Sequence, residues 1–173
     1  MVPRSFVIKR TDLNMTNISV KFLPFCLIFF FTCLDANAAR KIKEMDHFGS
    51  IRASKANIRS GPGKHYPIKF IFNTRGVPVH VISEYDNWNE IKDYQGHTGW
   101  VSKVLLTKRK TLMVVTSSKN GVKMHNKKDS KSRVIYRLKN FVIGDYLECE
   151  GSWCRMKIKG KKGWVRKNHL FGD

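Results

Sequence analysis

The fold is decided by a tryptophan-containing stretch that occurs twice in the chain. Residues 87–92 are Asn-Trp-Asn-Glu-Ile-Lys and lead to Gly-Trp-Val at 99–101. Residues 152–157 are Ser-Trp-Cys-Arg-Met-Lys and lead to Gly-Trp-Val at 163–165. The first tryptophans of the two copies are 65 residues apart and the second tryptophans 64. This spacing predicts two small domains of about 60 residues each rather than one larger core.

Short strand-like segments dominate the rest of the chain, and few apolar residues recur at helical spacing. These segments are β-branched or aromatic and are separated by Gly, Asn and Asp. The predicted strands are 77–82, 88–92, 98–101, 111–115, 134–138, 145–149, 153–158 and 163–165. The pattern predicts an all-β chain of two tandem small antiparallel β-barrels. A charged linker is expected at residues 108–110, Lys-Arg-Lys.

The first copy resembles the bacterial SH3-like family. An Asn-Ile-Arg-Ser-Gly-Pro segment at 57–62 precedes the tryptophan hairpin and the Gly-Trp-Val strand, in the order typical of that family. The resemblance is weaker in the second copy, where Gly-Val-Lys-Met-His at 121–125 replaces the Arg-Ser-Gly-Pro run. It implies SH3-like domains at 48–108 and 110–173, with a targeting or binding role in the cell envelope.

Residues 1–38 are predicted to be a secretory signal peptide. The apolar run Phe22–Leu34 follows Lys21 and precedes Ala36 and Ala38, which satisfy the small-residue rule for cleavage before residue 39. The run is shorter than the roughly 20 residues that a membrane span needs. An uncleaved anchor is the alternative. Cleavage predicts a periplasmic or secreted protein.

The chain is strongly basic, with a formal net charge of +20. Lys and Arg outnumber Asp and Glu by 16 to 5 over residues 110–173, and by 10 to 4 over 47–109. An exported basic protein meets anionic glycopolymers, lipid headgroups and acidic proteins before nucleic acid. We therefore expect no nucleic-acid partner, and a merely solvated basic surface is the alternative.

The hairpin of the second copy predicts a disulfide. A two-residue turn at Gly151-Ser152 places Cys149 opposite Cys154, at about the Cα separation that a disulfide requires. Export to an oxidising compartment would allow the bond to form. Strand alternation assigns to the core face Leu147, Cys149, Cys154, Met156 and Ile158.

The same alternation points the hairpin tryptophans away from the core. In the first copy Ile91 is inward with Val79 and Val81, while Trp88 is outward and opposite Tyr85. Outward rings on a barrel are candidate stacking platforms for sugars or peptides. The candidate ligand-binding residues are Tyr66, Tyr85, Trp88, Tyr94 and Trp153. Coverage of these rings by neighbouring loops is the alternative.

A run of cations in the second copy forms a candidate basic patch, with a solvated hairpin face as the alternative. Its members are Lys157, Lys159, Lys161, Lys162, Arg166 and Lys167. Arg59 of the first copy is a candidate for binding a peptide carboxylate or for a structural ion pair.

Nothing in the sequence predicts catalysis, a cofactor or a metal site. The six histidines form no metal-ligand pattern, and Cys149 and Cys154, the two cysteines outside the predicted signal peptide, face each other. We expect a non-enzymatic envelope protein that recognises peptidoglycan or an envelope partner. The alternatives are a scaffold that binds acidic proteins through its basic surface, or an accessory module for a separate wall hydrolase.

Overall fold

The computed structural model describes residues 41–173, which form two seven-stranded antiparallel sheets. The predicted signal peptide lies outside the described residues. The strands of the first barrel are β1 (Lys43–Ile51), β2 (Ala56–Arg59), β3 (Ile68–Phe72), β4 (Pro78–Tyr85), β5 (Trp88–Lys92), β6 (Thr98–Ser102) and β7 (Leu106–Thr107). Those of the second are β8 (Thr111–Val114), β9 (Val122–His125), β10 (Val134–Leu138), β11 (Ile143–Glu150), β12 (Trp153–Ile158), β13 (Lys161–Arg166) and β14 (Leu170–Phe171).

The two barrels share one topology. The strand order is β3-β2-β6-β5-β4-β1-β7 in the first and β10-β9-β13-β12-β11-β8-β14 in the second. The second order is obtained by adding seven to each strand number of the first. A single-turn 3₁₀ helix precedes the last strand of each barrel, at Lys103–Leu105 and Lys167–His169. The repeat read from the tryptophans therefore extends through the whole fold.

Each barrel encloses its own hydrophobic core. The first core contains Ile51, Ala56, Ile58, Val77, Val79, Val81, Ile91 and Val101. The second contains Leu112, Val114, Val122, Met124, Leu138, Cys154, Met156 and Val165. The inward positions predicted for Ile91, Val79 and Val81 are confirmed, because all three are almost completely buried.

The glycine of each Gly-Trp-Val motif permits close strand packing. A Cβ at Gly99 would lie 2.6 Å from Cγ2 of Ile58 and 3.0 Å from the carbonyl oxygen of Arg59. A Cβ at Gly163 would lie 2.7 Å from Cε of Met124. A side chain at either position would push the paired strands apart, β6 from β2 or β13 from β9. The glycine therefore allows these strands to pair, and their pairing closes the barrel.

The hairpin registers agree with the sequence beside both turns, and each hairpin carries one bulge farther along, between Val81 and Ser83 in the first copy and between Tyr146 and Glu148 in the second. Cys149 pairs with Cys154, and Tyr85 pairs with Trp88. The prediction for Leu147 is wrong: it is 37% exposed, because the β11–β12 register shifts between Tyr146 and Glu148. One extra residue in a strand reverses the faces beyond it. Tyr146 packs against the core instead of Leu147.

The two barrels contact each other around the linker at residues 108–110, between β7 and β8. Thr111 Oγ1 donates a hydrogen bond to the carbonyl oxygen of Gly76, 2.7 Å away. Phe48 of β1 packs edge-on against Phe171 of β14, with ring centroids 5.3 Å apart. No helix among residues 41–173 is long and apolar enough to cross a membrane.

Candidate ligand-binding clefts

Each barrel carries a cleft at the same place, beside its hairpin tryptophan. We call them the first and the second cleft. The first cleft is lined by Lys55, Asn57, Arg59, Lys64, Trp88, Ser102 and Leu105. The second cleft has a counterpart to each of these residues in Gly121, Lys123, His125, Ser130, Trp153, Arg166 and His169.

The pairing of the strands establishes this equivalence. Trp88 lies opposite Ser102 in the first barrel, and Trp153 lies opposite Arg166 in the second. On the other wall, Arg59 pairs with Trp100 and His125 pairs with Trp164. The two clefts are thus the same structural site with different side chains.

The loop beside each cleft is held by the same kind of hydrogen bond. Arg59 Nη1 donates to the carbonyl oxygen of Tyr66 at 2.7 Å, and His125 Nδ1 lies 3.0 Å from the carbonyl oxygen of Ser132. Both bonds join residues seven positions apart. Arg59 therefore positions a loop. Arg59 also lines the first cleft.

The first cleft is open and positively charged. Trp88 is only partly buried at its base. The lining includes three cations, Lys55, Arg59 and Lys64, and no carboxylate. The Oδ1 atom of Asn57 is buried and has no hydrogen-bond partner among the described residues.

The second cleft is closed by one of its own residues. The guanidinium of Arg166 lies over the ring of Trp153, with its carbon 4.1 Å from the ring centroid. Arg166 Nη1 also donates to Ser152 Oγ at 2.7 Å. The ring of His125 packs edge-on against Trp153 at 5.5 Å. As a result Trp153 is only 7% exposed.

The structure therefore corrects the prediction of Trp153 as an open stacking platform. Its ring does point away from the core residues, as strand alternation requires, but Arg166 and His125 cover it. The signal was available in the sequence. The residue after Gly-Trp-Val pairs with the hairpin tryptophan, and it is serine at 102 but arginine at 166.

The structure does not bring the other candidate aromatic residues into the first cleft. Tyr66 is 38% exposed and packs against His65, with centroids 4.3 Å apart. Tyr94 packs edge-on against Phe141 of the second barrel at 5.3 Å. Tyr85 is the cross-strand partner of Trp88 in the hairpin. Trp88 alone of the five candidates lines the first cleft.

The predicted basic patch is divided among different surroundings. Lys157 and Lys159 line a cavity between the barrels, and Arg166 covers Trp153. Lys167 forms an ion pair with Asp173 at 2.6 Å, and this hydrogen bond raises the pKa of Lys167. Lys161 and Lys162 are exposed and line neither cleft nor the cavity. The six cations therefore lie in several different surroundings, and Lys157 and Lys162 are cross-strand partners.

The predicted disulfide between Cys149 and Cys154 is confirmed. Asp173 lies close to the two sulfur atoms. Of the residues from 41 to 173, only these three form a group of metal-ligand type, but each sulfur is already bonded to the other. The group therefore has no free thiolate to offer a metal.

Comparison with known proteins identifies the family. A model described as Bacterial SH3 domain matches residues 52–108 and again residues 118–172. This chain belongs to the bacterial SH3 domain family. Bacterial SH3 domains commonly bind cell-wall material, and the two matches correspond to the two barrels. Among curated proteins there is no match.

Solved structures similar to this chain are longer proteins. One is NlpC2 from Trichomonas vaginalis, with 11% identity and a TM-score of 0.34 over 75% of this chain and 49% of that one. Another is an NlpC/P60 family protein from Bacillus cereus ATCC 10987, with 14% identity and a TM-score of 0.33 over 72% and 55%. The chain spans about half the length of these structures.

Proposed function

We propose that this protein is an exported, non-catalytic envelope protein that binds peptidoglycan through the first cleft. The observation that carries the proposal is a partly exposed Trp88 surrounded by Lys55, Arg59 and Lys64, with no carboxylate in the lining. The family supports a wall-binding role in general. The first cleft supplies the surface that would contact the peptidoglycan.

The chemistry of the cleft fits a glycopeptide. A tryptophan ring offers a flat apolar surface on which a sugar ring or a peptide segment can pack. Lysine and arginine side chains bind carboxylates through charge-assisted hydrogen bonds. Peptidoglycan carries both kinds of group close together, so one ligand would contact Trp88 and the cations at the same time.

The lining supports binding rather than turnover. The first cleft contains no histidine, thiol or carboxylate that could act as nucleophile or base. Export is supported by the disulfide, which forms and persists in oxidising compartments. It is also supported by the apolar run and small residues of the N-terminal segment. We place the protein in the periplasm or outside the cell.

Sedimentation with purified sacculi tests the proposal. Trp88→Ala should lower the affinity roughly tenfold, because truncating a central aromatic contact removes more than about 1 kcal/mol. Tyr136→Ala is the matched control, since Tyr136 is 36% exposed on β10 and lines neither cleft. It should bind within about twofold of the unaltered protein.

Circular dichroism must show that both variants are folded. Equal sacculus binding by folded Trp88→Ala and by the unaltered protein would overturn the proposal. So would an absence of sacculus binding by the unaltered protein itself.

A further inference from the structure

We propose a second binding site, for a ligand with several phosphate groups, in the cavity between the two barrels. The cavity has a volume of about 600 Å³ and is lined by residues of both barrels and of the linker. Its volume falls within the roughly 300–1,000 Å³ typical of small-ligand sites, which often form at domain interfaces. It shares no residue with the first cleft.

The cavity is strongly cationic. Five cations line it: Arg52, Arg75, Arg109, Lys157 and Lys159. The lining contains one carboxylate, Asp145, which already forms an ion pair with Arg109. Cations that converge in a concave site focus a positive potential and repel one another. A multivalent anion would relieve that repulsion and be concentrated by the potential.

The walls of the cavity are held in place by contacts between the barrels. Ser50 Oγ donates to the carbonyl oxygen of Arg109 at 2.8 Å, and Thr111 Oγ1 donates to that of Gly76 at 2.7 Å. The floor is closely packed, since a Cβ at Gly144 would lie 2.7 Å from Cγ1 of Ile158. The cations are therefore carried on backbone that is already ordered, which reduces the entropy lost on binding.

The composition of the lining favours phosphate. Arginine presents a planar fork of donors that matches phosphate oxygens in pairs, and lysine adds a mobile point charge. Arg52 and Arg75 come from the first barrel and Arg109 from the linker, while Lys157 and Lys159 come from the β12–β13 hairpin. Two or more phosphate groups would engage both sides, whereas a single anion would engage one.

Calorimetric titration with inorganic tripolyphosphate tests the site on the whole protein. Lys157→Gln with Lys159→Gln should weaken binding at least tenfold. The matched control is Lys161→Gln with Lys162→Gln, which removes the same charge from the same hairpin outside the cavity. The control should change the affinity less than threefold. The double variant Arg52→Gln with Arg75→Gln changes the opposite wall. It should lose as much affinity for tripolyphosphate as the double variant of Lys157 and Lys159.

A second measurement identifies the source of the phosphate. Vesicles of cardiolipin, whose headgroup carries two phosphate groups, mixed with phosphatidylcholine are offered to the same variants. Vesicle binding that is lost only in the cavity variants, and that tripolyphosphate displaces, assigns the site to a lipid headgroup. Vesicle binding that falls equally in all lysine variants assigns the cavity to a soluble phosphate compound.

Two results would overturn the proposal. The first is that the unaltered protein does not bind tripolyphosphate. The other is an equal loss of tripolyphosphate binding in the cavity pair and the control pair, because binding would then follow total charge rather than the cavity. Thermal melting of each variant separates loss of binding from loss of folding.

Discussion

The two barrels have the same framework but differ at the sites that face a ligand. Both use the same strand order, the same tryptophan hairpin and the same glycine at the point of barrel closure. In the first barrel Ser102 lies opposite Trp88 and leaves a partly exposed ring. In the second, Arg166 lies opposite Trp153 and covers it. The residues that contact the tryptophan, Arg166 and His125 in the second barrel, thus decide whether the cleft is open.

The hairpins differ in a second way. Cys149 and Cys154 of the second barrel occupy the positions of Glu84 and Asn89 in the first, and both pairs are directly opposed across the hairpin. A covalent bond therefore replaces a polar pair. The barrel with the closed cleft is also the one whose hairpin is fixed by a disulfide.

The largest expected effect is the loss of the disulfide. The bond joins residues five positions apart, and the chain-entropy model gives about 2 kcal/mol for so short a loop. Reduction should lower the melting temperature by roughly 5–15 °C. Calorimetry with and without reductant measures the shift.

The double variant Cys149→Ala with Cys154→Ala is the control for that experiment, because its melting should not respond to reductant. If the unaltered protein melts at the same temperature in both conditions, the bond contributes nothing measurable. The hairpin difference between the barrels would then have no consequence for stability.

The next effect in size comes from exchanging the residues opposite the tryptophans. Ser102→Arg should place a guanidinium over Trp88 and weaken sacculus binding about tenfold, because a ligand must displace a contact of up to about 2 kcal/mol. Ser102→Ala is the control and should bind as the unaltered protein does. Sedimentation with sacculi measures both.

The reverse change, Arg166→Ser, should open the second cleft. Removal of the guanidinium exposes Trp153, so acrylamide should quench the tryptophan fluorescence more strongly than in the unaltered protein. Unchanged quenching would mean that His125 and the adjoining loop cover the ring without Arg166. The comparison of the two clefts would then rest on more than one residue.

The smallest effect concerns the ion pair between Glu84 and Lys103, whose charged atoms are 2.7 Å apart. The hydrogen bond from Lys103 lowers the pKa of Glu84. A carboxylate with a lowered folded-state pKa contributes stability above its unfolded pKa and loses it as the pH falls through the folded pKa. Both side chains are about one-third exposed, so the contribution is about 0.5 kcal/mol or less.

Glu84→Gln should therefore lower the free energy of unfolding slightly at pH 7. The difference from the unaltered protein should disappear below the ordinary glutamate range near pH 4, as measured by urea unfolding at several pH values. A difference that persists at pH 3 would mean that Glu84 acts through packing rather than through its charge.

Most of the fold could be predicted from the sequence because its signals are local. Strand β5 (Trp88–Lys92), β10 (Val134–Leu138) and β12 (Trp153–Ile158) begin and end where the pattern predicts. The pattern missed β1 (Lys43–Ile51), whose residues are largely polar and exposed at its start. That strand owes its conformation to pairing with β4 and β7, which are distant in sequence.

The site was only partly predictable. Trp88 was found from alternation, but the cations Lys55 and Lys64 beside it were not, because they lie in the loops before and after β2, far from the hairpin in sequence. The run of six cations in the second copy is also divided among several surroundings that the sequence did not predict. Neighbours in sequence on a twisted hairpin point in different directions and meet different partners.

The sequence by itself determined the two repeats, the residue pairing beside each hairpin turn and the disulfide. Each depends on a turn of known length and on the two-residue period of a strand, which act between residues close in the chain. Only the tertiary structure decided that Trp153 is covered, that Leu147 is displaced by a bulge, and that a cationic cavity lies between the barrels. These depend on which distant strands meet, because burial and electrostatic potential are set by neighbours in space.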